Sequence, residues 1–372
     1  MTPRLNLSWH DRVWPVLACA LLALVQTANG SGIESANVKP PEAKPESASA
    51  APSAPMRPGE LVSTYRDSLV LVTGAKGAGS GFIATMGGKT YLITNAHVAA
   101  EAHGANLKTI EGKMLKAGDP SVAVGHDVFR IEVEAASRPF AVLPSADANA
   151  EIGDEIAVLG NAEGAGVVNA IPGKIVGFGP NLVEVDAPFV PGNSGSPIIH
   201  LKTGKVIGVA TYLIVKKYDD VTRQAFRAPV IRHFGYRLDS VATWQPVNWT
   251  SFFSQASDLQ NIETLTENLG TFLMDLAKNH HVTPGLHTNP VIKTHIDAWL
   301  AARTQRLSPR DAASNDENFL SFLKSVCQQD VTAEKRRATY DYFQRQLAEQ
   351  QEARNEMSSV FDRIIKELRK AP

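Results

Sequence analysis

The feature that most constrains this chain is a change of period near Pro246. Upstream, from Leu61 to about Trp244, apolar residues come in short runs: SLVLVT, YLIT, VFRIEV, EIAVLG, KIVGF, LVEV and KVIGVATYL. Val, Ile and Leu fill the runs, and Gly, Pro, Asn and Asp separate them, which is the pattern of many short strands joined by turns. No long 3.6-residue period interrupts them, so an all-β sandwich or barrel is expected. Downstream, Phe252, Leu259, Ile262, Leu265, Leu269, Phe272 and Leu276 recur three, four and seven apart, the stripe of an amphipathic helix. DENFLSFLKSV predicts a shorter helix. Thr332 to Lys370 predicts one long charged helix with Tyr340, Phe343, Leu347, Met357, Val360, Ile364 and Leu368 on its apolar face. The chain therefore reads as multidomain, an all-β domain followed by an all-α C-terminal domain, with no internal repeat.

The N-terminal end carries a different signal. Arg4 and Arg12 precede VWPVLACALLALV, an apolar run too short to cross a bilayer comfortably and of the length of a signal-peptide core. Ala28 and Gly30 are small residues at the −3 and −1 positions of a cut after Gly30. The expectation is a signal peptide over 1–30 and an exported protein, periplasmic or secreted, with a retained anchor as the alternative. Residues 31–60 contain six prolines, many Ala and Ser and no aromatic residue, a linker composition that cannot build a core. The β region then spans 61–245 and the helical region 246–372. With the leader removed, Cys327 is the only cysteine left, so no intrachain disulfide is expected in the mature chain. A net charge of −1 implies no general attraction to nucleic acid or an anionic membrane.

Chemistry concentrates in the β region. VPGNSGSP sets Ser194 between Gly192 and Gly195, and glycine lets the backbone take a positive φ and approach a substrate carbonyl closely. The N–H groups of Gly192 and Ser194 can then point into one oxyanion hole. Ser196 is followed by Pro197, which has no N–H to offer, so Ser194 is the candidate nucleophile. A serine needs a base and a group to orient that base. YLITNAHVAA places His97 just after an apolar strand, and GHDVFRIEV places Asp127 before an alternating strand with Val128 and Phe129 able to shield it. Asp119, in AGDP, is a rival that reads as a turn residue.

His, Asp and Ser in this order, within an all-β region, resemble the chymotrypsin-type (trypsin-like) serine peptidases, and the bacterial HtrA/Deg group in particular. TNAHV, an Asp opening a strand, GSGFIA, and GNSGSP followed by GKVIGVATY carry the resemblance, over roughly Leu61 to Leu213. The resemblance implies two six-stranded β-barrels, His97 as general base, Asp127 as its orienter, Ser194 as nucleophile, and the Gly192 and Ser194 amides as oxyanion hole. It implies a serine endopeptidase acting on proteins or peptides and needing no cofactor. A scaffold module with an unformed site, or an esterase with the same triad, are the alternatives.

Three departures refine this. Asn193 stands where an Asp that pairs with a new N-terminus is usual; a neutral amide needs no buried ammonium, so activity is not expected to depend on zymogen cleavage. Ser196 stands where Gly is more usual, as in secreted glutamyl endopeptidases, but Ala210 occupies the place of their carboxylate-binding His. The pocket-base position is Pro188, which offers no charge, so with Ala210 and Thr211 the pocket is expected to take a small or medium apolar side chain. Finally, the continuation is helical where HtrA proteins carry PDZ domains. His280, His281, His287 and His295, with Asp297, read as exposed loop residues rather than metal ligands. The final helix reads as packing within its own domain, with self-association or partner binding as the alternative.

Overall fold

A computed structural model describes residues 57–74, 78–103, 106–134, 138–161, 166–216, 230–279, 289–305, 307–329 and 331–369. The leader expectation and the linker expectation as far as residue 56, with His280, His281 and His287, lie outside these residues, whereas Pro58–Glu60, expected in the linker, already belong to a helix. The chain divides into two compact units, broken at Ala256/Ser257, with Tyr340–Tyr342 belonging to the β unit.

The β unit opens with the short helix α1 (Pro58–Thr64) and continues through β1 (Leu69–Thr73), β2 (Ala78–Met86), β3 (Lys89–Thr94), the one-turn helix α2 (Ala96–Glu101), β4 (Asn106–Thr109), β5 (Ala117–Ala123), β6 (Phe129–Val133) and β7 (Phe140–Ala141). After α3 (Ala146–Asn149) come β8 (Glu155–Gly160), β9 (Asn169–Phe178), β10 (Leu182–Val185), β11 (Pro197–His200), β12 (Lys205–Lys216), β13 (Val230–Arg237) and β14 (Trp244–Pro246). Each apolar run of the sequence is a strand, and GSGFIA lies in β2. Asp119, expected in a turn, lies in β5, where the register against β6 shifts between Ala117 and Pro120.

Of the two six-stranded barrels that the resemblance implied, one is present as such. β10-β13-β12-β11-β8-β9 close into a six-stranded barrel. The other strands form an eight-stranded sheet in the order β14-β5-β6-β3-β2-β1-β4, with β7 pairing β2, and this sheet is open. Among the described residues β4 pairs with β1 and with no further strand. Its edge is taken by its own return: Thr109 and Leu115 N–H donate to Lys113 and Leu107 carbonyls at 2.9 Å each. An edge satisfied in this way no longer templates closure.

Alternation along the strands builds the cores. Phe82 and Ala84 of β2, Ile93 of β3 and Phe140 of β7 are fully buried in one cluster, while Val183 and Val185 of β10, Ile198 of β11 and Ala210 of β12 fill the barrel. A buried Phe of this kind contributes about 2–3 kcal/mol.

Five helices follow: α4 (Trp249–Asn279), α5 (Pro290–Arg303), α6 (Pro309–Cys327), α7 (Val331–Arg337) and α8 (Asp341–Arg369). The expected stripe is divided in α4. Phe252 lies 5.1 Å from the Phe129 ring within the β unit, whereas Leu269 and Phe272 join the core of the helical unit. The single helix expected over Thr332–Lys370 is two, α7 and α8. At the break, two side chains accept hydrogen bonds from the β unit's main chain: Asn248 N–H donates to Tyr340 Oη (2.9 Å) and Gly125 N–H to Asp341 Oδ2 (2.7 Å). Phe343, Leu347, Met357, Val360 and Ile364 of α8 are buried.

In the helical core Trp299 stacks on Phe319, and Asp316 accepts hydrogen bonds from Trp299 Nε1 (2.9 Å) and Arg303 (2.5 Å). Arg354 is buried; its Nε and Nη2 donate to Thr266 Oγ1 and the Ile262 carbonyl at 2.9 and 3.0 Å. Cys327 is a free, buried thiol whose pKa burial pushes up to about 12. His295, expected on a loop, lies on α5 and stacks on Phe322, while Asp297 pairs with Lys293 at 2.6 Å. Among the described residues no group of three or more His, Cys, Asp or Glu is placed to hold a metal ion, and no helix is long and apolar enough to cross a membrane.

Candidate active site

β3 ends at Thr94, and the extended backbone of Asn95 turns the chain into α2, so His97 falls in the first turn of that helix. The β3–β6 ladder pairs Thr94 with Phe129, which sets Asp127 beside the same turn. His97 Nδ1 lies 2.6 Å from Asp127 Oδ2, and His97 N–H donates to Oδ1 at 3.0 Å. One carboxylate thus holds both the ring and the main chain of the histidine. With Nδ1–H facing the carboxylate, Nε2 carries the basic lone pair. The His97 side chain is 33% exposed and that of Asp127 is 12% exposed, so the acid is shielded and the base is reachable. Val128 and Phe129 supply the shield, both fully buried. Burial pushes the Asp127 carboxyl up, but the charge of the His97 ring and its hydrogen bonds outweigh this and hold it below the ordinary carboxylate value.

Asn95 ties this pair to the segment that carries Ser194. Its Nδ2 donates to the Asp127 carbonyl (2.7 Å) and to Thr211 Oγ1 (2.9 Å). Thr211 in turn accepts from Ser194 Oγ at its main-chain oxygen, at 3.3 Å. Thr211, predicted as pocket lining, also serves as a bridge between the histidine turn and the serine.

The loop around Ser194 is built by alternation. Gly192 and Gly195 take φ of 94° and 88°, the left-handed region that glycine alone enters freely. Asn193 N–H donates to the Val190 carbonyl (3.0 Å) and Gly195 N–H to the Ala210 carbonyl (2.9 Å). The N–H groups of Gly192 and Ser194, between these tied positions, have no acceptor among the described residues. Two uncommitted donors in such a turn are the kind of groups that can receive an anion. Gly195 is required for a second reason. A Cβ there meets the Ser80 carbonyl oxygen at 1.9 Å, so the loop lies against β2 with no room for a side chain.

Behind the loop, Asn193 and Ser196 are fully buried, and Asn193 Oδ1, Asn193 Nδ2 and Ser196 Oγ have no hydrogen-bond partner among the described residues. Of the predicted pocket residues, Pro188 is exposed, Ala210 is fully buried in the barrel core and Thr211 is buried. Sequence reasoning missed two residues here. Ser80 contacts the nucleophile loop directly. His233 of β13 pairs with Leu213 of β12 and Val185 of β10, and its ring meets Phe189 edge-on at 4.8 Å. Burial pushes the His233 pKa down, against the pull of the Phe189 main chain and the Asp186 charge, which favours the neutral ring. No local motif marks either residue; only the ladder and loop contacts bring them in.

Known proteins resemble the chain over this same region. Residues 79–209 match the family described as trypsin-like peptidase domain. The serine protease HhoB of Synechocystis is 31% identical over 151 residues, which cover 37% of this chain and 34% of that protein. A protein of Pseudomonas fulva, named as a DegP-like periplasmic serine endoprotease, is 30% identical over 153 residues, 38% of this chain and 30% of its own length. The chain thus spans about a third of these relatives. Among solved structures, the serine endoprotease of Yersinia pestis has a TM-score of 0.37 at 22% identity, covering 50% of this chain and 64% of that one. The active form of the Rv3671c protease of M. tuberculosis has a TM-score of 0.35 at 22% identity, covering 57% and 97%.

Proposed function

We propose that the chain, whose residues 79–209 match the trypsin-like peptidase domain, is an exported serine endopeptidase working through His97, Asp127 and Ser194. His97 Nε2 takes the Ser194 proton as Oγ attacks the substrate carbonyl. Asp127 holds the ring in the tautomer that permits this and stabilises the imidazolium that results. The Gly192 and Ser194 N–H groups receive the oxyanion, His97 protonates the leaving amine, and water resolves the acyl-enzyme. The observation that carries the reading is the 2.6 Å His97–Asp127 contact, on a histidine that remains one-third exposed.

Export rests on the N-terminal signal pattern and on the periplasmic naming of DegP-like relatives. Around the pocket, Pro188, Ala210 and Thr211 provide no charge to compensate a desolvated Lys, Arg or Glu, and burial of His233 disfavours its charged form, so a small or medium apolar residue precedes the cleaved bond. A peptide-library profile dominated by Arg, Lys or Glu would overturn that preference. The central test is labelling by a fluorophosphonate probe. The intact chain is labelled and Ser194→Ala is not, with peptide hydrolysis falling on the order of 10⁶-fold. Equal labelling of both proteins, or none of either, would overturn the assignment.

A further inference from the structure

The loop that presents Gly192 and Ser194 needs something to hold it. An acidic residue before the nucleophile holds such a loop by pairing with a buried ammonium, but Asn193 makes no side-chain hydrogen bond to any described residue. The hold comes from the opposite side, through β2. Ser80 N–H donates to the Ser194 carbonyl at 2.8 Å, and Ser80 Oγ donates to the Gly192 carbonyl at 2.9 Å. The same Oγ accepts from Asn161 N–H at 3.0 Å, and the Ser80 carbonyl accepts from Thr94 Oγ1 at 2.7 Å. Every polar atom of Ser80 is used, and the residue is 2% exposed.

The two carbonyls that Ser80 holds belong to the peptides Gly192–Asn193 and Ser194–Gly195. Their opposite ends are the N–H groups tied to Val190 and Ala210. Each peptide is therefore pinned at both ends, its oxygen by Ser80 and its hydrogen by the loop or β12. The Ser194 N–H belongs to the Asn193–Ser194 peptide, which lies between these two pinned peptides, and the Gly192 N–H belongs to the Pro191–Gly192 peptide, which adjoins the first of them, so the pinning restrains the backbone torsions through which either donor could turn away. An Ala at position 80 keeps the main-chain bond but loses the hydroxyl. The Gly192 oxygen and the Asn161 N–H then both lose a partner, and an unsatisfied buried group drives a peptide to reorient.

We infer that Ser80 is a positioning residue that clamps the oxyanion loop in its competent shape, in place of an ammonium–carboxylate pair. This rests on the reading of Ser194 as the nucleophile, and two measurements keep the two apart. In the full chain, Ser80→Ala lowers kcat for peptide hydrolysis by about 10²-fold with KM within about twofold, and Ser80→Thr, which keeps the hydroxyl, recovers most of the loss. Thr94→Val, which frees the Ser80 carbonyl alone, gives a smaller loss in the same direction. Independently of activity, hydrogen exchange of the segment 190–196 is faster in Ser80→Ala than in the parent, with the melting transition still cooperative. Unchanged exchange of that segment overturns the clamp whatever the activity does. Faster exchange in a chain that no fluorophosphonate labels leaves the clamp standing and overturns the nucleophile.

Discussion

The β unit contains two histidine–aspartate pairs of nearly the same chemistry. At the turn into α2, His97 Nδ1 lies 2.6 Å from Asp127; at the end of β11, His200 Nε2 lies 3.0 Å from Asp154. The difference is in which partner is hidden. His97 is 33% exposed over a shielded acid, whereas His200 is 0% exposed under an acid that is 21% exposed. The second nitrogen of His200 is also committed, to Thr203 Oγ1 at 3.0 Å. A ring with both nitrogens engaged and no solvent face cannot accept a substrate proton. The first arrangement suits a base, and the second suits a staple joining the β11–β12 turn to the loop before β8.

The sharpest way to break this comparison is to neutralise each acid. Asp127→Asn keeps the shape of the site but favours the wrong tautomer of His97, and peptide hydrolysis falls about 10⁴-fold. Asp154→Asn leaves kcat/KM within about twofold, since it touches no group near Ser194. Steady-state kinetics on the two variants decide the matter; equal losses would mean that the pairs are not distinct in role.

Replacing the second histidine reverses the pattern. His200→Ala removes a fully buried ring and leaves the Asp154 and Thr203 groups short of a partner, costing about 1–3 kcal/mol of stability. Urea denaturation reads this as a lower midpoint at an unchanged slope, while activity of the folded fraction stays at the parent value. A stability equal to the parent's would show that the staple carries nothing.

The two pairs also mark what the sequence reveals and what it hides. TNAHV and GHDVF carry His97 and Asp127 in frames that a reader can single out, because a strand end and a strand start leave local signatures. IIHLKTGK carries His200 in an equally apolar frame, and nothing local says that its ring is enclosed. Ser80, His233 and the open edge at β4 are hidden for the same reason. Each depends on which strands pair, and pairing gathers residues far apart in the chain, as from Ser80 to Ser194. The final helix reads as unbroken because its apolar period runs on from Tyr340, and the tertiary bonds at Tyr340 and Asp341, where it breaks, leave no local signal.

His233 is a third case, buried without a carboxylate bonded to its ring among the described residues and set against Phe189. His233→Ala removes the ring that packs edge-on against Phe189, next to the predicted pocket residue Pro188, so larger apolar residues such as Phe or Met gain at the cleaved position by about tenfold relative to Ala, the worth of a small change in an apolar pocket. Competition between peptides that differ at that one position measures the shift. An unchanged ranking would place His233 in the barrel core alone.

The smallest expected effect is on stability in acid, and it sets the two aspartates against each other once more. Both carboxyls titrate below their ordinary value. Burial opposes this in each case, but the His97 charge and bonds overcome it at Asp127, and the Glu151 main chain and His200 overcome it at Asp154. A carboxyl whose folded pKa is depressed contributes stability that is fully present above its unfolded value, about 3.9, and is lost as pH falls through the folded value. The parent chain therefore loses melting temperature as pH drops from about 5 to about 3. Asp127→Asn has no such proton to take up, so it begins less stable at the upper end of that window but loses less across it. Asp154→Asn shows the same flattening to a lesser degree, because solvent screens its partly exposed carboxylate. Melting curves at half-unit pH steps test this, and slopes parallel to the parent's in both variants would mean that neither aspartate is held down by its histidine.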